Sequence, residues 1–215
     1  MGKIVLATII ISGSAKWLLK VGGNKEKWYG SDRIFMYVMT VFGAMTVNYS
    51  EQCTEYGWVV SNLRLLAGCL LAGGLLSAAY MDRRNCWVYN YVWWWCLPWA
   101  GILGLTAGGG FHGIVAVLVF VMLQQLLFSR MYGKADCHAF SVCALAECGN
   151  AVGMVGFLLQ MFLSVVLLTI VQLFRGNVTP RGRLREPQPF IPYIITAFFS
   201  VMFLESVFRT TYIYA

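Results

Sequence analysis

Long apolar runs separated by short basic segments make up most of this 215-residue chain. Hydrophobic residues account for 59% of the sequence and charged residues for 12%, and the mean hydropathy is +0.68. These values lie far outside the usage of soluble globular proteins. Because about 20 consecutive apolar residues form a transmembrane helix, the sequence predicts an all-α fold, a polytopic integral membrane helical bundle with about six to eight membrane helices.

The predicted spans begin with a weak one near 4–15, which we interpret as an uncleaved segment rather than a signal peptide. The next apolar runs lie, in chain order, at 34–48, 65–81, 88–107, 111–129, 138–149, 151–174 and 190–207. The run at 138–149 is too short to cross a membrane. We expect it to form a helical hairpin with 151–174, broken around Gly149 and Gly153, since such breaks survive in a membrane only where protein surrounds them.

Most basic residues fall between the apolar runs, which explains a formal charge of +7 without a nucleic-acid partner. If the predicted hairpin crosses the membrane twice, four basic clusters lie on one side. The positive-inside rule identifies this side as cytoplasmic. The clusters are Lys16, Lys20, Lys25, Lys27 and Arg33; Arg83 and Arg84; Arg130 and Lys134; and Arg175, Arg181, Arg183 and Arg185.

Two aspartates, Asp82 and Asp136, stand at the ends of apolar runs in a chain with nine acidic residues. Two predicted crossings separate them, so both are expected at the cytoplasmic edge of the membrane. Two carboxyl groups in one low-dielectric site cannot both ionise easily, so one holds a proton while the other activates a water molecule. This pairing favours the chemistry of an aspartic peptidase.

Other catalytic and cofactor motifs are missing from the sequence. It contains no GxSxG, HExxH or Walker motif, and its two histidines, His112 and His138, are too few for a histidine metal centre. The seven cysteines include no CxxC pair, which argues against a zinc site or a disulfide framework. We therefore expect neither a metal nor another cofactor.

Two short strings surround the aspartates. Asp82 begins the first string, which closes eight residues later with Asn90. It keeps the Asp, a nearby Arg and the closing Asn of the pattern Asp-x-Arg-x-x-x-Ile-Pro-Asn. Gly133 begins the second, which places Asp136 in the setting of a GxGD or GxAD pattern. A third string, Pro189-Phe190-Ile191-Pro192, opens the last apolar run as Pro-Phe-x-Pro.

With these three strings in this order, residues 62–208 resemble the type IV prepilin leader peptidases and the related archaeal preflagellin peptidases, membrane aspartic peptidases of the GxGD type. The resemblance implies a peptidase-like membrane domain at 62–215, preceded by accessory membrane segments at 1–61. The chain resembles the short members of the family, which lack the methyltransferase portion. Val88 and Tyr89 replace the Ile-Pro of the first pattern, and His138 replaces a lysine of the second.

The resemblance implies an endopeptidase that cleaves the basic leader peptide from pilin, pseudopilin or archaellin-like precursors at the cytoplasmic face of a prokaryotic inner membrane. Its partners would be that precursor and the lipid bilayer. The implied catalytic residues are Asp82 and Asp136. The supporting or substrate-binding candidates are Arg83, Asn90, Gly133, Lys134, His138, Pro189 and Pro192.

Alternatives remain for the whole protein and for its acidic residues. The chain could be a catalytically inactive scaffold of a pilus or secretion system, or a small-solute transporter. Asp82 could pair with Arg83 or Arg84, and Asp136 could be a helix N-cap. Loss of the family lysine should raise the pKa of Asp136 unless a protonated His138 or Lys134 compensates. Two further acids in apolar runs, Glu147 and Glu205, are candidates for interhelical hydrogen bonds.

Overall fold

The computed structural model describes residues 2–23, 30–52, 57–106, 110–126, 129, 133–147, 153–175 and 188–213. This part of the chain forms α-helices and contains no strand. The helices are α1 (Gly2–Val21), α2 (Gly30–Gln52), α3 (Trp58–Asn85), α4 (Asn90–Thr106), α5 (Gly110–Leu126), α6 (Lys134–Glu147), α7 (Gly153–Phe174) and α8 (Ile191–Ile213).

Four of these helices are long and apolar enough to cross a membrane, judged by length and composition over the described residues. The candidate spans are Gly2–Val21, Trp58–Asn85, Val155–Phe174 and Ile191–Phe208. The predicted all-α membrane bundle is confirmed, but its candidate spans number four rather than six to eight. Helices α4, α5 and α6, of 17, 17 and 14 residues, are shorter than the candidate spans. Helix α2 has 23 residues but is less apolar, since it includes Asp32, Arg33 and Glu51.

Helix α3 forms the centre of the bundle and packs against α1, α2, α4 and α8. Its residues are buried almost without interruption from Ala67 to Asp82. Small residues make this possible, because they let neighbouring helix backbones approach closely. A Cβ at Gly73, for example, would lie 2.9 Å from the backbone oxygen of Ile11 in α1.

Helices α6, α7 and α8 are joined by a cluster of aromatic rings around Phe140. The Phe140 ring meets Phe157 of α7 at a centroid distance of 6.2 Å and Phe190, beside the start of α8, at 5.8 Å. Such edge-to-face contacts are favourable because the positive ring edge meets the negative ring face. The predicted packing of α6 against α7 is therefore present, while the predicted break between them lies outside the described residues.

Several helix ends meet beside Asp82, and we call this region the Asp82 end of the bundle. The Tyr91 hydroxyl, near the start of α4, donates a 2.8 Å hydrogen bond to the Leu18 carbonyl near the end of α1. Helix α3 ends here because Cys86 adopts a left-handed conformation, with φ at 49°. Its backbone N–H then donates to the Asp82 carbonyl at 2.8 Å.

The N-terminal helices are part of the same packed bundle. Both α1 and α2 lie along α3, and the predicted boundary between 1–61 and 62–215 falls within the first turn of α3. The separate accessory role of 1–61 therefore stays a prediction.

Candidate active site

The Asp82 carboxylate, at the end of α3, binds the N-terminus of α8. Asp82 is only 6% exposed, and its Oδ2 accepts a 3.0 Å hydrogen bond from the backbone N–H of Ile191. The backbone of Phe190 supplies a second favourable contact. Because the first N–H groups of a helix lack partners within the helix, and because a helix N-terminus attracts negative charge, this contact stabilises both elements.

The Pro-Phe-x-Pro string explains why these two N–H groups face Asp82. Proline has no N–H, and Pro192 occupies the first turn of α8, where a helix tolerates proline well. Pro189 and Pro192 therefore flank the two donors of Phe190 and Ile191. Pro192 is buried and Pro189 is half-buried, so the turn is packed in place.

Arg83 and Arg84 do not pair with Asp82, which corrects one of the sequence-based alternatives. Arg83 Nε instead lies 2.8 Å from Oδ1 of Asp32, near the start of α2, and Arg84 Nε lies 3.5 Å from Oδ2 of the same residue. Arg83 also donates to the Ser31 hydroxyl at 3.2 Å and lies over the Phe35 ring. These contacts connect α3 to α2 and leave the Asp82 carboxylate to α8.

Asp136 is the third residue of α6, and its carboxylate binds the backbone just before the first turn of that helix. Its Oδ2 accepts a 3.2 Å hydrogen bond from the backbone N–H of Gly133, which is one half of a capping box. Asp136 is therefore not an N-cap, as one alternative had it. A Cβ at position 133 would lie 3.1 Å from that oxygen, so glycine allows the carboxylate to come this close.

The two aspartates interact electrostatically. Asp136 lies outside the four candidate spans, and its pKa is raised from an ordinary 3.8 to about 7. Burial is the main cause, the negative charge of Asp82 adds to it, and the Gly133 N–H opposes it. Partial burial raises the pKa of the Cys86 thiol, and the negative charges of Asp82 and Asp136 raise it further. The fold thus brings Asp82, Cys86 and Asp136 together.

His138 does not supply the positive charge that the family resemblance would expect from a lysine at this position. It is half-buried; its Nδ1 lies 3.4 Å from Nε2 of Gln125, and its ring centroid lies 6.0 Å from that of Trp93. Burial and the nearby charge of Lys134 lower the pKa of His138, so it is neutral at pH 7. Lys134 itself is exposed in the first turn of α6.

Neither Asn90 nor Glu147 has a hydrogen bond to Asp82 or Asp136 among the described residues. Asn90 is exposed at the start of α4, and in the described part of the chain its side chain hydrogen bonds to neither aspartate. Glu147 lies 11 residues after Asp136, about 16 Å along the helix axis at 1.5 Å per residue. It is 3% exposed, and neither of its side-chain oxygens has a hydrogen-bond partner among the described residues. The expected interhelical hydrogen bond of Glu147 is therefore not found there.

Sequence reasoning missed three participants, namely Asp32, Cys86 and the Ile191 N–H. Asp32 and Ile191 contact residues more than 50 positions away in the chain, and no local pattern reports such a contact. Cys86 follows Arg83-Arg84-Asn85 at a helix end, and a left-handed residue is common at that position. That position was the one signal available in the sequence.

A carboxyl group that keeps its proton, near a second one that is ionised, can activate water for attack on a carbonyl group. Among the described residues no group of histidine, cysteine and acidic side chains is placed to hold a metal ion. Comparisons with protein-family models, with curated proteins and with solved structures find no match to this chain.

Proposed function

We propose that the protein is a membrane-embedded aspartic endopeptidase that removes the basic leader from type IV prepilin-like precursors. The observation that supports this most is the coupling of Asp82 and Asp136, which lie on different helices and 54 residues apart. Their motifs are those of the family that the sequence resembles. Asp82 is also joined to the third motif of that family through the Ile191 N–H.

In this mechanism Asp136 holds the proton and Asp82 acts as the base. The raised pKa of Asp136, about 7, favours its protonated form near neutral pH, while backbone N–H donors stabilise Asp82 as a carboxylate. Asp82 takes a proton from a water molecule while the oxygen of that water attacks the scissile carbonyl. The proton on Asp136 forms a hydrogen bond that stabilises the developing oxyanion. The proton that Asp82 took from water then passes to the leaving nitrogen as the C–N bond breaks, which returns Asp82 to its carboxylate form.

The supporting residues act through position rather than through charge. Gly133 permits the close approach of its N–H to Asp136, and Pro189 and Pro192 direct the α8 donors to Asp82. Arg83 is engaged by Asp32, so its charge is partly compensated before a basic leader approaches. Lys134, His138 and Asn90 are left as candidates for contact with the substrate.

The proposed substrate suits a site at the membrane edge. A pilin-like precursor has a basic leader, a glycine and a single apolar helix, so its cleavage point lies where the helix leaves the bilayer. The Asp82 end carries Arg33, Arg83, Arg84 and Arg175, and the positive-inside rule would put that end in the cytoplasm of a prokaryotic cell. Leader residues would also be attracted to anionic lipid head groups there.

The deciding experiment is co-expression with a pilin-like precursor, followed by measurement of its length. The wild-type protein should shorten the precursor, and Asp82→Asn and Asp136→Asn should each abolish cleavage. Glu147→Gln is the matched control, because it also replaces an acid of α6 by its amide, at the far end of the helix. Processing that survives either aspartate change, in protein that is present in the membrane at normal levels, would refute the assignment.

A catalytically inactive scaffold is the second candidate, because each aspartate also has a structural contact. Asp82 holds the start of α8 and Asp136 closes the start of α6. A scaffold would leave every precursor uncut, and its aspartate variants would lose stability alone.

A further inference from the structure

A cavity of about 220 Å³ lies at the Asp82 end between α2, α3, α7 and α8. We call it the two-arginine cavity, because Arg83 and Arg175 both line it. Its other lining residues include the hydroxyl-bearing Tyr193 and Thr196 and the apolar Phe35 and Val171. It combines positive charge, polar hydroxyls and an apolar wall.

Two positively charged side chains, Arg83 and Arg175, line this cavity. Among the described residues, Arg83 and Arg84 both pair with Asp32. Arg175 is exposed, follows the last residue of α7, and makes no ion pair with any described residue. No acidic side chain is found among the described residues that line the cavity. An anion is the ligand that this arrangement would attract.

The apolar surface beside the cavity indicates what kind of anion would bind. On α7, just before Arg175, Ile170, Leu173 and Phe174 are exposed, Phe174 to 89%. The α7 span as a whole is only 22% buried inside the protein, as expected of a helix that faces lipid. A ligand that suits both the charged cavity and this apolar surface would have a charged head and hydrocarbon chains.

We propose that the two-arginine cavity binds the phosphate group of an anionic membrane phospholipid, whose acyl chains lie along α7. Arginine is suited to this role because its planar guanidinium donates paired hydrogen bonds to phosphate oxygens. Pro189 and Pro192 also line the cavity, and they flank the Ile191 N–H that binds Asp82. A bound lipid would therefore hold the turn that carries the candidate site. The proposal does not depend on peptidase activity.

The test measures lipid binding to the purified full-length protein in detergent, by native mass spectrometry and by the shift in melting temperature. Phosphatidylglycerol should bind and stabilise the wild-type protein, and phosphatidylcholine should do so much less. Arg175→Gln should weaken phosphatidylglycerol binding about tenfold or more, since a charge-assisted hydrogen bond is lost. Val171→Trp, which fills the apolar wall without removing a charge, should also weaken it.

Arg33→Gln is the matched control. Arg33 is an exposed arginine near the start of α2 that lies over the Tyr37 ring and does not line the cavity. An equal loss of binding in Arg33→Gln and Arg175→Gln would show diffuse attraction and overturn the site. Unchanged binding in Arg175→Gln would overturn it as well. Stabilisation by millimolar inorganic phosphate without lipid, absent in Arg175→Gln, would assign the cavity to a soluble phosphate compound and refute the lipid.

Discussion

The Asp82 carboxylate accepts a 3.0 Å hydrogen bond from the backbone N–H of Ile191, 109 positions further along the chain. This one contact joins the central helix α3 to the first turn of α8. It also fixes one of two coupled carboxyl groups in a buried position. Stability and the candidate chemistry therefore depend on the same atoms, and the first prediction separates them.

Asp82→Ala should lower the free energy of unfolding by about 1 to 3 kcal/mol, because it leaves the buried Ile191 N–H without its acceptor. Asp82→Asn keeps an oxygen acceptor and should cost less than the alanine variant. Asp32→Ala is the control at the same end of the bundle. Its ion pairs with two arginines are partly exposed, and such pairs contribute about 1 kcal/mol or less. Melting temperatures in detergent give the comparison, and equal losses in Asp82→Ala and Asp32→Ala would contradict it.

Asp136 should make the protein less stable as the pH rises from about 4 to about 7. Its pKa in the folded protein is about 7, against about 3.9 in an unfolded chain, so the folded state binds the proton more tightly in this window. Stability is therefore highest below the unfolded pKa and is lost as the pH rises through the folded pKa. Between pH 5 and 8 the free energy of unfolding should therefore fall by about 1 to 2 kcal/mol less in Asp136→Asn than in the wild-type protein, after a discount for solvent screening.

The measurement for Asp136 is the melting temperature of wild type and variant across that range. Identical pH dependence in the two proteins would rule out the raised pKa. If the proposed peptidase activity is found, its rate should fall above about pH 7, where Asp136 loses the proton that it needs as an acid.

Gly133→Ala should reduce cleavage about tenfold while leaving the fold intact. The added methyl group would lie 3.1 Å from the Asp136 Oδ2, so the carboxylate must move by a few tenths of an ångström, and small displacements of catalytic groups are costly. Gly101→Ala, in α4, is the matched control because no atom lies within 4 Å of its added Cβ. Cleavage assays of both variants test this, and an equal effect of the two would argue against a positional role for Gly133.

Cys86→Gly should raise the free energy of unfolding by about 1 kcal/mol. Cys86 holds a left-handed conformation with φ at 49°, which costs a non-glycine residue about 1 to 2 kcal/mol, whereas glycine is the preferred residue at this position after a helix. Cys86→Ala removes the same thiol but keeps the Cβ, so it should give no such gain. Thermal melts of the two variants make the comparison, and a similar gain in both would point to the thiol rather than the backbone.

The amino-acid pattern alone was sufficient for the helical membrane fold and for most helix positions, because apolar runs and their breaks are local properties. The motifs around Asp82, Asp136 and Pro189 were visible for the same reason. The number of candidate spans was not visible in this way, since α4, α5 and α6 are apolar but shorter than the four candidates, and α2 is long but less apolar.

Contacts between distant residues depended on packing. The pairing of Arg83 and Arg84 with Asp32, the contact of Asp82 with Ile191 and the neutral state of His138 all arise from helices that meet only in the folded chain. The charge of a residue depends on its burial and on its neighbours, and neither is recorded in the order of the amino acids. The sequence therefore identified two carboxyl groups at the ends of apolar runs, and the packing of α3, α6 and α8 made them neighbours.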